Sequence, residues 1–134
     1  MKKSSKIWII SIFFILVIAL VLFLLLNQNP KSDLLIIKNG MTIPQDKCSK
    51  LDQYAIIYQT GCPHCAKVLP RIQEVEQSLG VTFKHYNLAI QADFNYIQSL
   101  GMLPEGVPAV IINCKAYLGS DYSVDDFKSF ILGN

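Results

Sequence analysis

The stretch Tyr54-Ala55-Ile56-Ile57-Tyr58-Gln59-Thr60-Gly61-Cys62-Pro63-His64-Cys65 decides how this chain is read. Its first five residues are apolar and rich in β-formers, as a buried strand requires. Gln59-Thr60-Gly61 breaks that run. A helical pattern follows from about 63 to 79: Val68, Leu69, Ile72, Val75 and Leu79 recur at three- and four-residue steps, while Glu74 and Glu76 lie off that face. Pro70 is expected to kink this helix and Gly80 to end it. The two cysteines therefore stand where a strand gives way to a helix.

That junction gives Cys-X-X-Cys its chemistry. Unpaired backbone N–H groups and the positive end of the helix dipole converge at the first turn and favour a thiolate over a thiol at Cys62. A thiolate attacks disulfides and a thiol does not. Cys65, one turn further in, is expected to be more buried and placed to attack a mixed disulfide on Cys62. His64, when protonated, adds positive charge near the sulfur, which makes the disulfide form more oxidising. Pro63 sets φ for the first turn and removes a donor the helix does not need. A structural zinc site competes with this reading, but it usually takes two spaced Cys/His pairs, and Cys48 and Cys114 are single and far apart. A purely structural 62–65 disulfide closes too small a loop to stabilise much.

Downstream, Val81 to Leu88 alternates as a second strand, 93–100 suits a short helix, and 101–106 reads as a turn region. Ala109 to Ile112 and Ala116 to Leu118 form a third and a fourth strand. Ser123-Val124-Asp125-Asp126 resembles a capping box opening a last helix that buries Val124, Phe127, Phe130 and Ile131. Upstream, Leu34 to Ile37 suits an edge strand and Asn39-Gly40 a turn. The core order is β-α-β-α-β-β-α, a parallel unit followed by an antiparallel hairpin. His85 reads as an ordinary strand histidine. Tyr58, Phe83, Tyr86, Phe94 and Tyr96 read as core or rim.

The chain has 134 residues, 51% hydrophobic and 16% charged, with mean hydropathy +0.35, too apolar for a disordered protein. The excess is concentrated. From Ile7 to Leu26 there are 20 residues without a charge, enough at about 1.5 Å each to span a bilayer core of about 30 Å. Trp8 suits the interface at one end. A cleaved signal peptide competes, but its apolar core is normally shorter and ends at a small-residue cleavage site. Lys2, Lys3 and Lys6 contribute +3 to the formal +2, leaving −1 for 27–134 and no basic patch for nucleic acid. The lysines before the segment favour a cytoplasmic N-terminus over Lys31 and Lys38 after it. The expected organisation is a cytoplasmic tail (1–6), a transmembrane anchor (7–26), a polar linker containing Pro30 (27–33) and an α/β domain (34–134).

From Leu51 to Leu132 the sequence resembles the thioredoxin superfamily. The resemblance rests on Cys62-Pro63-His64-Cys65 at a strand–helix junction, on Pro70 as the kink proline, on Val107-Pro108 before the third strand as the cis-proline, and on the terminal hairpin and helix. It implies a thioredoxin-like fold, a central mixed sheet flanked by helices. It also implies that Val107 and Pro108 shape the substrate site. Pro-His within the motif and Val before Pro108 resemble DsbA-type thiol oxidases. Three features depart from these relatives: only 42 residues separate Cys65 from Pro108, leaving no room for the DsbA helical insertion; Gly61 replaces the tryptophan of thioredoxins; and Ile56 stands where they carry a buried acid. Gly119-Ser120-Asp121 faintly resembles the glutaredoxin segment that holds the glutathione carboxylate.

In this fold the strands 54–58 and 109–112 are antiparallel neighbours, which brings Cys114 near Cys48 at the end of the sheet away from Pro108. A structural Cys48–Cys114 disulfide is expected, with two free thiols or an electron-relaying second pair as alternatives. Such a bridge belongs to an oxidising compartment. Together with the apolar segment and the lysines before it, this leads us to expect a single-pass protein of the cytoplasmic membrane whose catalytic domain lies on the extracytoplasmic side. It would exchange disulfides with cysteine-containing exported proteins, without a metal or organic cofactor, and be reset by a membrane redox partner. A reductase of the same fold, such as one serving cytochrome c maturation, and a non-catalytic chaperone module are the alternatives.

Overall fold

A computed structural model describes residues 4–26 and 33–134, with the side chains of 4–7 outside the description. The chain divides into two compact units, 1–32 and 33–134. In the first, α1 (Ser4–Leu26) is apolar on every face, as a helix solvated by lipid or buried on all sides must be. Its stretch Trp8–Leu26 is long and apolar enough to cross a membrane. The expected tail falls partly outside the described residues, and the linker falls there except for Asp33.

The second unit is a mixed α/β structure. Its sheet contains β2 (Tyr54–Tyr58), β3 (Lys84–Asn87), β5 (Ala109–Ile112) and β6 (Lys115–Leu118), in the spatial order β3-β2-β5-β6. β2 and β3 are parallel, and α3 (Pro63–Leu79) connects them. β5 runs antiparallel to β2 and forms a hairpin with β6. The two-residue turn at Asn113-Cys114 takes φ of 49° and 66°, the positive pair that a tight hairpin needs to match strand twist.

Apolar runs rather than alternation mark β2 and β5 because both sheet faces are covered. Ile56, Val110, Ile112 and Tyr117 meet Val68, Ile72 and Val75 of α3 and Phe127 of α5 (Val124–Leu132) on one face. Ala55, Ile57, Ala109, Ile111 and Ala116 meet Ile37, Ile43, Leu51, Ile97 and Met102 on the other. That second layer comes from β1 (Leu35–Ile37), from α4 (Gln91–Ser99) and Met102 beyond it, and from α2 (Gln45–Cys48) and its flanks. Pro70 lies inside α3, which continues to Leu79 and ends on Gly80 at φ 65°. Ser123 caps α5 in a complete capping box with Asp126, whose carboxyl is held below its ordinary range by the Ser123 N–H and hydroxyl.

The expected turn at 101–106 is corrected: Met102–Pro104 forms β4, which pairs in parallel with β1 (Leu35–Ile37) as a separate two-stranded sheet. The glycines at 101 and 106 read as punctuation, but Met102 and Leu103 supply the apolar surface, and Ile37 is a buried partner strand residue. β1 is therefore not an edge of the main sheet. The second strand is shorter than expected, beginning at Lys84, and α2 was not legible because four residues carry no periodicity.

Candidate redox site

Cys62 is the N-cap of α3, with extended backbone angles (φ −78°, ψ 118°) and Pro63 at the first helical position. The residue before it, Gly61, takes φ +83°, which turns the chain from β2 onto the helix axis. Because α3's first N–H groups have no helical acceptor, the sulfur of Cys62 takes one of them: Cys65 N–H donates to Cys62 Sγ at 3.2 Å. A sulfur thus occupies the position where Ser or Asp usually caps a helix. Cys62 is half-buried, and Cys65 is 1% exposed. Both are unbridged thiols in this structure. Burial, followed by the neighbouring Cys62 sulfur, pushes the Cys65 thiol up to about 11.

A second element closes on the same sulfur. The Val107–Pro108 peptide bond is cis, and the thiol of Cys62 donates to the Val107 carbonyl oxygen at 3.7 Å. Pro108 is buried and accepts the N–H of Gly119 at 2.9 Å. Gly119 begins the loop from β6 to α5. From that loop, Ser120 Oγ lies 2.9 Å from His64 Nδ1, and one Nη of Arg71 donates to the carbonyls of Ser120 and Tyr122, each at 2.7 Å. The structure thus brings Cys62, Pro63, His64, Cys65, Val107 and Pro108 to one end of the sheet.

Cys48 and Cys114 lie elsewhere and are joined by a disulfide, with Cα atoms 5.6 Å apart. The ladder places them at the Tyr54 end of β2: Tyr54 pairs with Ile112, and Asn113 N–H donates to Gln53 O. With these two joined, no second cysteine pair stands beside Cys62. The core contact of Ile56 with Val68 and Ile72 leaves an apolar side chain, rather than an acid, under α3. His85 is exposed and stands edge-on to Tyr58 at 6.0 Å.

Sequence reasoning missed Asn87. This buried residue ends β3, and its side chain takes the N–H of Thr60 at 3.2 Å and gives its amide hydrogen to Thr60 Oγ1 at 2.7 Å. Its own N–H donates to the Asp93 carboxylate at 2.8 Å. The loop that delivers Cys62 is therefore anchored from the neighbouring strand. The available signal was a polar amide at the C-terminal end of a strand next to a redox motif, where a loop needs partners.

No family model and no curated relative matches this chain. Among solved structures it is similar to the first two thioredoxin domains of Saccharomyces cerevisiae Eps1p, at 18% identity and a TM-score of 0.39. The match covers 71% of this chain and 40% of that one, so this chain spans less than half the length of that structure.

Proposed function

We propose that this protein is a membrane-anchored thiol–disulfide oxidoreductase with a thioredoxin-like fold. One observation carries the reading: a half-exposed sulfur caps the open N-terminus of α3, and the backbone N–H of a second, buried cysteine points at it over 3.2 Å. An N–H dipole and a helix N-terminus both favour negative charge on that sulfur.

Cys62 is the exchanging sulfur. In the oxidising direction a substrate thiolate attacks Sγ of Cys62 in the Cys62–Cys65 disulfide. The S–S bond breaks, a mixed disulfide forms, and Cys65 leaves as a thiolate and takes a proton. A second substrate thiolate then attacks the substrate sulfur of the mixed disulfide and releases Cys62 as a thiolate. Two electrons pass from the substrate dithiol to the pair, and the substrate gains a disulfide. Val107 and Pro108 form the wall against which the substrate backbone lies. His64 tunes the potential.

In this reading α1 spans the cytoplasmic membrane and holds the domain on its extracytoplasmic side, where Cys48–Cys114 persists. Exported proteins with cysteines are the substrates, and a membrane redox partner returns the pair to its starting state. The test is the reduction potential of the pair in the full chain in detergent, measured against glutathione. A value near about −120 mV makes the protein an oxidase, and one near about −270 mV a reductase. A pair that never forms a disulfide, or a Cys62→Ser variant that keeps full biological activity, overturns the proposal in favour of a non-catalytic module.

A further inference from the structure

We propose that Ser120 is a positioning residue that acts on the Cys62–Cys65 pair through His64, an inference that rests on the redox reading above. His64 is exposed and two residues beyond Cys62, in the first turn of α3. An exposed imidazole ordinarily exchanges among rotamers on the ps–ns timescale. Here Nδ1 meets the Ser120 hydroxyl at 2.9 Å.

Ser120 is itself held in place. Gly119 N–H donates to Pro108 O, so the loop is tied to the proline beside Cys62. Arg71 grips the carbonyls on either side of Asp121. His64 and Arg71 are seven residues apart, two turns along one face of α3. The helix therefore holds the loop at two points on the same face, one of them the histidine of the redox motif. The ring is drawn toward the loop that touches Pro108, and the Cys62 sulfur faces the carbonyl of the preceding Val107.

A hydroxyl suits this task because it both donates and accepts. It donates to Nδ1 of a neutral ring that carries its proton on Nε2, and it accepts from Nδ1–H of the imidazolium. Ser120 thus keeps the ring in place in either charge state. The imidazolium charge then stands at a fixed position by the helix mouth, where it stabilises the thiolate of the reduced pair and makes the disulfide more oxidising. Alanine removes this hold, and threonine retains it.

The test is the equilibrium of the full chain in detergent with reduced and oxidised glutathione, read by alkylation and mass spectrometry. Ser120→Ala is expected to shift the constant toward the disulfide by about threefold to tenfold, the effect of one hydrogen bond. Ser120→Thr should stay near the wild-type value. His64→Ala should shift the constant in the same direction, and adding Ser120→Ala to it should change nothing further. A shift in His64→Ala with none in Ser120→Ala overturns this proposal alone, as does a Ser120→Ala shift that persists at full size without His64. A wild-type pair that never oxidises overturns both this proposal and the redox reading.

Discussion

The backbone N–H of Cys65 donates to the sulfur of Cys62 over 3.2 Å, while the Cys65 side chain is itself 1% exposed. The two cysteines of one motif are thus made unequal by a single turn of helix. The first has solvent on one side and helix N–H groups on the other. The second lies under the helix, and its burial favours the neutral thiol. A substrate can reach only the first.

This inequality predicts selective alkylation. With limiting iodoacetamide at neutral pH, the reduced protein should be modified at Cys62, and Cys65 should react only after denaturation. Peptide mass spectrometry separates the two sites. In Cys65→Ser, attack of the Cys62 thiolate on an added disulfide substrate releases one substrate thiolate and leaves a mixed disulfide, which should accumulate because no Cys65 sulfur is present to displace the second substrate thiolate; a nonreducing gel shows whether it does. Equal labelling of both cysteines would remove the assignment of roles.

The raised thiol also predicts a pH dependence. Burial moves Cys65 from its ordinary 9.0 to about 11 in the folded reduced form. The folded state therefore binds the proton more tightly than the unfolded state does. The stability this contributes is fully present below about pH 9 and is lost as pH rises through about 11. The oxidised form has no thiol at this position and lacks the effect. Urea unfolding of reduced and oxidised protein at pH 8, 9.5 and 11 should show the reduced form losing stability relative to the oxidised one across that window. A constant difference contradicts the burial of Cys65 as the cause.

The redox motif was legible because it coincides with a change of period, from the continuous apolar run of β2 to the three- and four-residue steps of α3. Pro63, Gly80 and the Ser123 capping box mark helix ends by local chemistry alone, and sequence shows such chemistry directly. The pairing of β1 with β4 was not legible. Each strand is three residues long, and a strand that short owes its existence to its partner 67 residues away rather than to its own pattern. Asn87 was hidden for a related reason. Its role depends on Thr60 lying across the β2–β3 ladder, a relation that only the parallel register establishes, with Tyr58 opposite Asn87.

Asn87 accordingly carries a prediction. Asn87→Ala leaves the Thr60 N–H and hydroxyl without their side-chain partner and removes the acceptor of Ala89 N–H. The cost should be about 1–3 kcal/mol in urea unfolding, the penalty of stranding part-buried donors. The loop before Cys62 should loosen more than the rest of the sheet. Hydrogen exchange at Thr60 and Gly61 should therefore accelerate more than exchange at Ile56 or Val110. Uniform acceleration across the sheet would show that Asn87 supports the whole domain rather than this loop.

The Cys48–Cys114 bridge offers the converse test, because it lies at the other end of β2 from the redox pair. It ties α2 to the β5–β6 turn across 66 residues of sequence. In the chain-entropy model a loop of that length stabilises by about 4 kcal/mol, since the bridge restricts the unfolded chain far more than the folded one. Replacing both cysteines by alanine should therefore lower the urea midpoint substantially. It should leave the glutathione equilibrium of Cys62–Cys65 where it was, because no hydrogen bond of the redox site involves Cys48 or Cys114 and about five residues of strand, roughly 16 Å, intervene. A changed equilibrium at Cys62–Cys65 in the double variant would mean that the two pairs exchange electrons or strain, and the bridge would then belong to the catalytic cycle rather than to the scaffold.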